Sequence, residues 1–372
     1  MASRKTCFAL DWERVLILNP YIVVVKALQP LMIRSRLSPR GYEAVSNAIP
    51  ASTLAGALAR ALQLEEGYGL VARGYAVSEA YPVVEVEGRF VPAFPAPLLT
   101  VKIKSVEGGG PRLLVCLHAG GSDPLELLRK VYGFWEKKLG FKPLGLIKVV
   151  KLGTPVALAS TQPLEDLEEC YAAVDAEVEA SYSYDSTAVN PAKGSVEKEM
   201  LYTYYAIPRN TLFWATVLLP DDVRVGGRVV ELRLGGGRTR GYGRALAAME
   251  RLPDRLLEEL EEEYREIVGG EYKLFLWSPL PVKFGWQMVR CGWSSVVGAP
   301  RLAIPVMKPG SLLEPKDKLL TSKSFLEARF RGLVPPLGHA EPVSRRKRLP
   351  PSLQKLAPIV ERLASLVGGE AG

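Results

Sequence analysis

The chain has 372 residues, 48% of them hydrophobic and 24% charged, with a formal net charge of +8. That length suits two ordinary domains, and that composition fills their cores, which excludes a disordered chain. The basic balance favours an acidic partner, nucleic acid or a membrane surface, and no apolar run approaches the length that spans a bilayer.

Asp11, Glu13 and Arg14 interrupt the first apolar segment, so it does not read as a signal peptide and a cytoplasmic protein is expected. Cys7, Cys116, Cys170 and Cys291 are widely spaced and form no C-x-x-C pair. They suit neither a zinc site nor a disulfide framework, and isolated buried thiols are expected. Asparagine and glutamine are scarce beside Glu, Arg and Pro, a bias of thermophilic proteins.

In chain order, Tyr21 to Ile33 is rich in valine and isoleucine and reads as a strand. A basic loop follows, with Arg34, Arg36 and Arg40. Ile49 to Leu62 reads as a helix, with Leu54, Ala57, Leu58, Ala61 and Leu62 on one face. Ser52 is the expected N-cap, and the free amides at that helix end suit an anion. Gly56 within it costs about 1 kcal/mol against alanine, so a close neighbour is expected there.

Tyr81 to Val86, Leu98 to Ser105 and Arg112 to His118 alternate like strands, with Pro92, Pro95 and Pro97 marking an irregular connection. Asp123 to Leu139 is a helix, and Leu146 to Ser160 returns to strand-like sequence. The polar stretch from Glu165 to Cys170 suggests a domain boundary near Asp175. Ser181 to Val189 and Leu201 to Leu219 flank the turn Asn190 to Gly194 and predict a long hairpin with Lys193 and Lys198 at its tip. Its tyrosines, Tyr182 and Tyr184 among them, have two uses. They stack on unpaired bases, or they pack half-buried as strand tyrosines commonly do.

Next come Val229 to Leu234 and Gly235-Gly236-Gly237-Arg238-Thr239-Arg240-Gly241-Tyr242-Gly243-Arg244. Five glycines in nine residues remove side chains where another backbone must come close. Arg233, Arg238, Arg240 and Arg244 surround the opening, and a guanidinium fork matches phosphate oxygens. The loop fits neither G-x-G-x-x-G nor a P-loop, which counts against a small-molecule nucleotide enzyme. The alternatives are a polyanion cradle and a glycine hairpin with solvated arginines.

Asp254 to Ile267 is a helix carrying six glutamates, a solvated face or a contact for a basic partner. Glu271 to Leu280, Arg301 to Met307 and Ser324 to Phe330 read as strands. The basic run Arg345 to Arg348 precedes a last amphipathic helix, Leu353 to Leu366. The alternation of elements gives an α+β chain with antiparallel sheets, compatible with a split βαβ pattern in each half.

These residues resemble a known family. Ile49-Pro-Ala-Ser-Thr-Leu-Ala-Gly-Ala-Leu58 is similar to the first-helix motif of the RAMP superfamily, the repeat-associated proteins of CRISPR systems. Leu234 to Arg244 resembles that superfamily's glycine-rich loop. Tyr184-Asp-Ser-Thr-Ala188, Leu201-Tyr-Thr-Tyr204 and Pro309-Gly-Ser311 resemble segments of its larger two-domain members. The likeness is greatest to the handle-binding subunit of type III effector complexes.

That resemblance implies two ferredoxin-like (RRM-like) domains, at 1–175 and 176–340, with a basic linker and C-terminal helix at 341–372. It implies an extended β-hairpin thumb, and partners in the 5′ handle of the CRISPR RNA, the large polymerase-like subunit and the backbone RAMP subunits. The RNA-binding residues expected are Gly235, Gly236, Gly237, Arg238, Thr239, Arg240, Gly241, Tyr242, Gly243 and Arg244, facing Arg34, Arg36, Ser52 and Thr53, with Tyr182 and Tyr184 on bases. No metal, cofactor or catalytic residue is expected, because ligands do not cluster and no histidine falls near 34–60. The alternative is a metal-independent CRISPR RNA-processing endoribonuclease using His118 or His339.

Overall fold

The computed structural model describes residues 19–33, 47–64, 75–104, 112–117, 124–143, 145–178, 182–190, 195–220, 223, 225, 229–278, 280–281, 287–291, 302–313, 340–344 and 349–369. Strand β1 (Asn19–Ala27) is followed by helix α1 (Ala51–Ala61), then β2 (Ala76–Val77), β3 (Tyr81–Val86), β4 (Arg89–Pro95), β5 (Leu99–Ile103) and β6 (Leu113–Cys116). Helix α2 (Pro124–Leu139) leads to β7 (Ile147–Val149), β8 (Pro155–Leu164) and β9 (Leu167–Asp175). The hairpin β10 (Tyr182–Asn190) and β11 (Ser195–Ala206) precedes β12 (Leu212–Leu219), β13 (Val229–Arg233) and β14 (Arg244–Arg251). Helix α3 (Asp254–Val268) is followed by β15 (Tyr272–Leu276), β16 (Leu280–Pro281), β17 (Gln287–Cys291), β18 (Leu302–Met307), β19 (Leu312–Leu313), β20 (Ala340–Ser344) and α4 (Pro351–Gly369).

Among the described residues, twelve strands join in one sheet, in the order β13-β14-β1-β12-β3-β4-β8-β9-β6-β5-β7, with β2 paired to β12. All its pairings are antiparallel, and smaller sheets form from β19-β15-β20 and β16-β18-β17. The boundary expected near Asp175 falls at the end of β9, yet β1 from before it pairs with β12 and β14 from after it. One sheet therefore runs across that point.

β1 explains its own sequence. Tyr21, Val23 and Val25 enter one core with α1, while Ile22 and Val24 enter another with α4. A strand covered on both faces reads as a continuous apolar run, not an alternating one. α2 covers the far end of the sheet through Leu127, Val131, Phe134 and Trp135.

Two expectations need correction, and a stretch left unassigned by the sequence proves to be a strand. The proline-rich stretch after Val86 is the strand β4, entered through a tight turn at Glu87 and Gly88, both with positive φ. Its prolines are tolerated because its first half pairs with β3 and its second half with β8, leaving each half an open side. The stretch from 167 to 175 is likewise a strand, joined to β8 as a hairpin. Cys116 and Cys170 are not isolated thiols: they stand opposite each other on β6 and β9 and are disulfide-bonded, with Cα atoms 4.1 Å apart. The expected strand Ser324 to Phe330, the basic run Arg345 to Arg348, His118 and His339 lie outside the described residues.

Candidate nucleic-acid interface

The glycine loop closes the β13–β14 hairpin at the end of the sheet. Arg233 and Arg244 are the last cross-strand pair, and Leu234 N–H donates to the Gly243 carbonyl at 2.8 Å. Beyond them the chain turns through left-handed backbone at Gly235, Gly237, Gly241 and Gly243. Between Gly237 and Gly241, Arg238–Arg240 form a short 3-10 turn whose three side chains are all exposed. The loop projects both arginines at its tip into solvent.

The close backbone that the glycines admit is the protein's own. A Cβ on Gly235 would lie 2.4 Å from the Met32 carbonyl oxygen, and one on Gly243 would lie 2.5 Å from that of Leu234. Gly236 N–H donates to the Met32 carbonyl and Gly243 N–H to the Pro30 carbonyl, each at 3.0 Å. Arg240 N–H closes the 3-10 turn on the Gly237 carbonyl at 2.8 Å. These amides are spent inside the protein, so charge for a polyanion comes from guanidinium groups more than from bare N–H groups. Tyr242 is buried with Met32 and Ala206, its ring lying where a Cβ on Gly237 would meet it. It supports the loop from beneath and presents no face for a base.

Residues 30–33 brace two elements at once. On one side they hold the glycine loop. On the other, Leu31 exchanges both backbone hydrogen bonds with Ile207, at 2.9 Å each, at the foot of the β10–β11 hairpin. Ala206, the last residue of β11, packs against Tyr242. The hairpin pairs only with itself among the described strands, with Tyr182 opposite Ala206 and Tyr184 opposite Tyr204. Arg34 and Arg36 lie outside the described residues; the chain enters their segment from Ile33, whose side chain is 3.3 Å from a Cβ built on Gly235.

Ser52 and Thr53 belong to helix α1, whose Leu54 and Leu58 share a core with Ile33, Leu232 and Leu234 at the root of the glycine loop. Helix α1 starts at Ala51, Pro50 holds the cap position without a side-chain cap bond, and Ser52 lies within the first turn. A proline with fixed φ starts the helix instead of a hydroxyl. The lead-in residue Ile49 pairs with Ala80, beside β3.

The electrostatics at the loop are uneven. Arg244 donates to Glu231 through Nε at 3.2 Å and Nη2 at 2.9 Å, and Arg233 Nη2 lies 3.2 Å from the same carboxylate. Hydrogen bonding to Arg244, then the charges of Arg244 and Arg233, hold the Glu231 carboxyl below the usual range. Among the described residues Arg238 donates only its side-chain Nε, to the Gly235 carbonyl at 3.1 Å. The Arg240 side chain makes no hydrogen bond or ion pair among the described residues. Sequence reasoning missed Glu231 as part of this site; its signal was the i, i+2 spacing to Arg233 on a strand, which puts both on one face.

No protein-family model and no curated protein matches the sequence. Among solved structures, one chain of the type III-B Cmr-beta complex, determined by cryo-EM with cognate target RNA and AMPPnP, is 13% identical. That match covers 88% of this chain and 97% of that one, with a TM-score of 0.43. Oligomeric Cmr4 from Pyrococcus furiosus is 15% identical over 63% of this chain and 100% of its own, with a TM-score of 0.26. A chain of a type IV-B CRISPR complex is 11% identical over 62% and 90%, with a TM-score of 0.22.

Proposed function

We propose that this chain is a non-catalytic, cytoplasmic RNA-binding subunit of a type III CRISPR ribonucleoprotein effector complex, acting in antiviral defence. The observation that carries the reading is the solvent-facing loop tip, where Arg238 and Arg240 project from a turn fixed by four left-handed glycines. A rigid cationic turn neutralises phosphates without paying to order itself. The hairpin anchored through the same brace supplies a second surface beside it, as the thumb of the resembled family does.

In this reading the strand series β14-β1-β12-β2, with α1 between β1 and β2, is a ferredoxin-like module, and the split βαβ order supports it. The RNA is the 5′ handle of the CRISPR RNA, and the protein partners are the large polymerase-like subunit and backbone RAMP subunits. These finer assignments rest on the sequence resemblance.

The test is RNA affinity as a function of salt, with a single-stranded RNA carrying a CRISPR repeat sequence. Arg238→Ala and Arg240→Ala are each expected to weaken binding and to flatten the slope of log K against log salt by about 0.7. Slopes that match the parent protein in both variants would remove the loop from the interface. Cleavage of that RNA, lost on His118→Ala or His339→Ala, would replace this reading with the endoribonuclease.

A further inference from the structure

The four arginines around the loop are not equivalent. Arg233 and Arg244 face each other directly across β13 and β14, where two like charges repel. Glu231 resolves that repulsion by standing between them. Its two oxygens fill the Arg244 fork, at 3.2 and 2.9 Å, and one of them also meets Arg233 at 3.2 Å. A carboxylate gripped by two parallel N–H groups on one edge of a guanidinium occupies the geometry in which arginine takes a phosphate. Arg238 and Arg240, by contrast, keep their outer N–H groups toward solvent.

We propose that Glu231 is an internal phosphate mimic, which withholds Arg233 and Arg244 from RNA so that the loop offers two cationic contacts instead of four. This inference rests on the reading above. A phosphate reaching Arg244 must displace a carboxylate that stays within reach as a negative charge. Glu231 thereby limits how many phosphates the loop neutralises, and with that both affinity and salt dependence. Moderate affinity suits a subunit that must settle on one register of an RNA instead of trapping any polyanion.

The experiment measures binding of a single-stranded RNA 12-mer across a salt series, with folding of each variant checked by thermal melting. Glu231→Gln is expected to steepen the slope by about 0.7 to 1.4 and to tighten binding about tenfold at low salt. Arg244→Ala is expected to leave the slope unchanged when Glu231 is present and to cancel part of the gain in the double variant. Glu262→Gln, an equal charge change at an exposed position on α3, controls for net charge and is expected to leave the slope alone. If Glu231→Gln behaves like Glu262→Gln while Arg238→Ala still flattens the slope, the mimic is wrong and the RNA site stands. If Arg244→Ala flattens the slope with Glu231 in place, the arginine is not withheld, even should Glu231→Gln fail to fold. If no arginine variant alters the slope, the RNA site and this inference fall together.

Discussion

Glu79, in the connection from β2 to β3, meets the hydroxyl of the buried Tyr81. The Tyr81 hydroxyl lies against both the Trp277 carbonyl and Glu79 Oε2, the latter at 3.1 Å. It has one proton for two acceptors, so an ionised Glu79 leaves one contact without a hydrogen. Burial pushes the Glu79 carboxyl up to about 7, opposed by the Tyr81 hydrogen bond. Between the usual carboxylate value and 7 the folded protein holds a proton that the unfolded chain has lost. Stability therefore falls as pH rises through that window and levels off above it. Glu79→Gln is expected to flatten this decline, gaining about 1–2 kcal/mol on the parent protein between pH 5 and pH 8. Urea melts at the two pH values check it; equal declines in both proteins would show that Glu79 does not titrate there.

The glycine loop shows how far single residues could be read. That its glycines admit a close backbone followed from composition. Which backbone did not, because Met32 and Leu234 are brought there by strand pairing. The arginines were visible as a set, but their division by Glu231 depends on the β13–β14 register. Buried Tyr242 read the same as an exposed aromatic in a loop.

Helix α4 is held at both ends by buried charges. Glu341, 1% exposed, accepts the Ser352 N–H at 3.3 Å in the first turn. Lys26, 5% exposed and on β1, donates to the Gly368 carbonyl at 3.1 Å in the last turn. An anion at the N-terminus and a cation at the C-terminus both complement the helix dipole, and each satisfies a backbone group that the helix leaves unpaired. Glu341→Gln and Lys26→Met are each expected to cost about 1–3 kcal/mol, near additively because they lie at opposite ends. Denaturant midpoints that do not move would refute the clamp.

The helices were legible: α1, α2, α3 and α4 all appear where the sequence reading put them. β4 was hidden by its prolines, which a central strand excludes unless its pairing changes partner midway, as here. Nothing local to Lys26 signals its role, because the helix end it meets is more than three hundred positions away.

At the scale of the whole molecule, the Cys116–Cys170 bond ties strands 54 positions apart in sequence. Closing a loop of that size stabilises by about 2–4 kcal/mol through the unfolded chain. Replacing both cysteines by serine is expected to lower the melting temperature, and a reductant is expected to reproduce the drop in the parent protein. A parent protein that melts identically with and without reductant would show that the bond is not formed in solution. The pairing was illegible because two distant cysteines are matched only by the register of β6 and β9.

The position of β1 has a consequence for how the protein is made. It leaves the ribosome well before its partner strands, carrying Tyr21 to Val25 with no strand yet beside them. Its neighbours β12 and β14 follow only after roughly 190 and 220 further residues, on the order of 10–40 s of translation. For that interval the nascent chain exposes a sticky, unpaired ribbon. Chaperones that guard emerging polypeptides are therefore expected to bind this segment until β12 and β14 emerge.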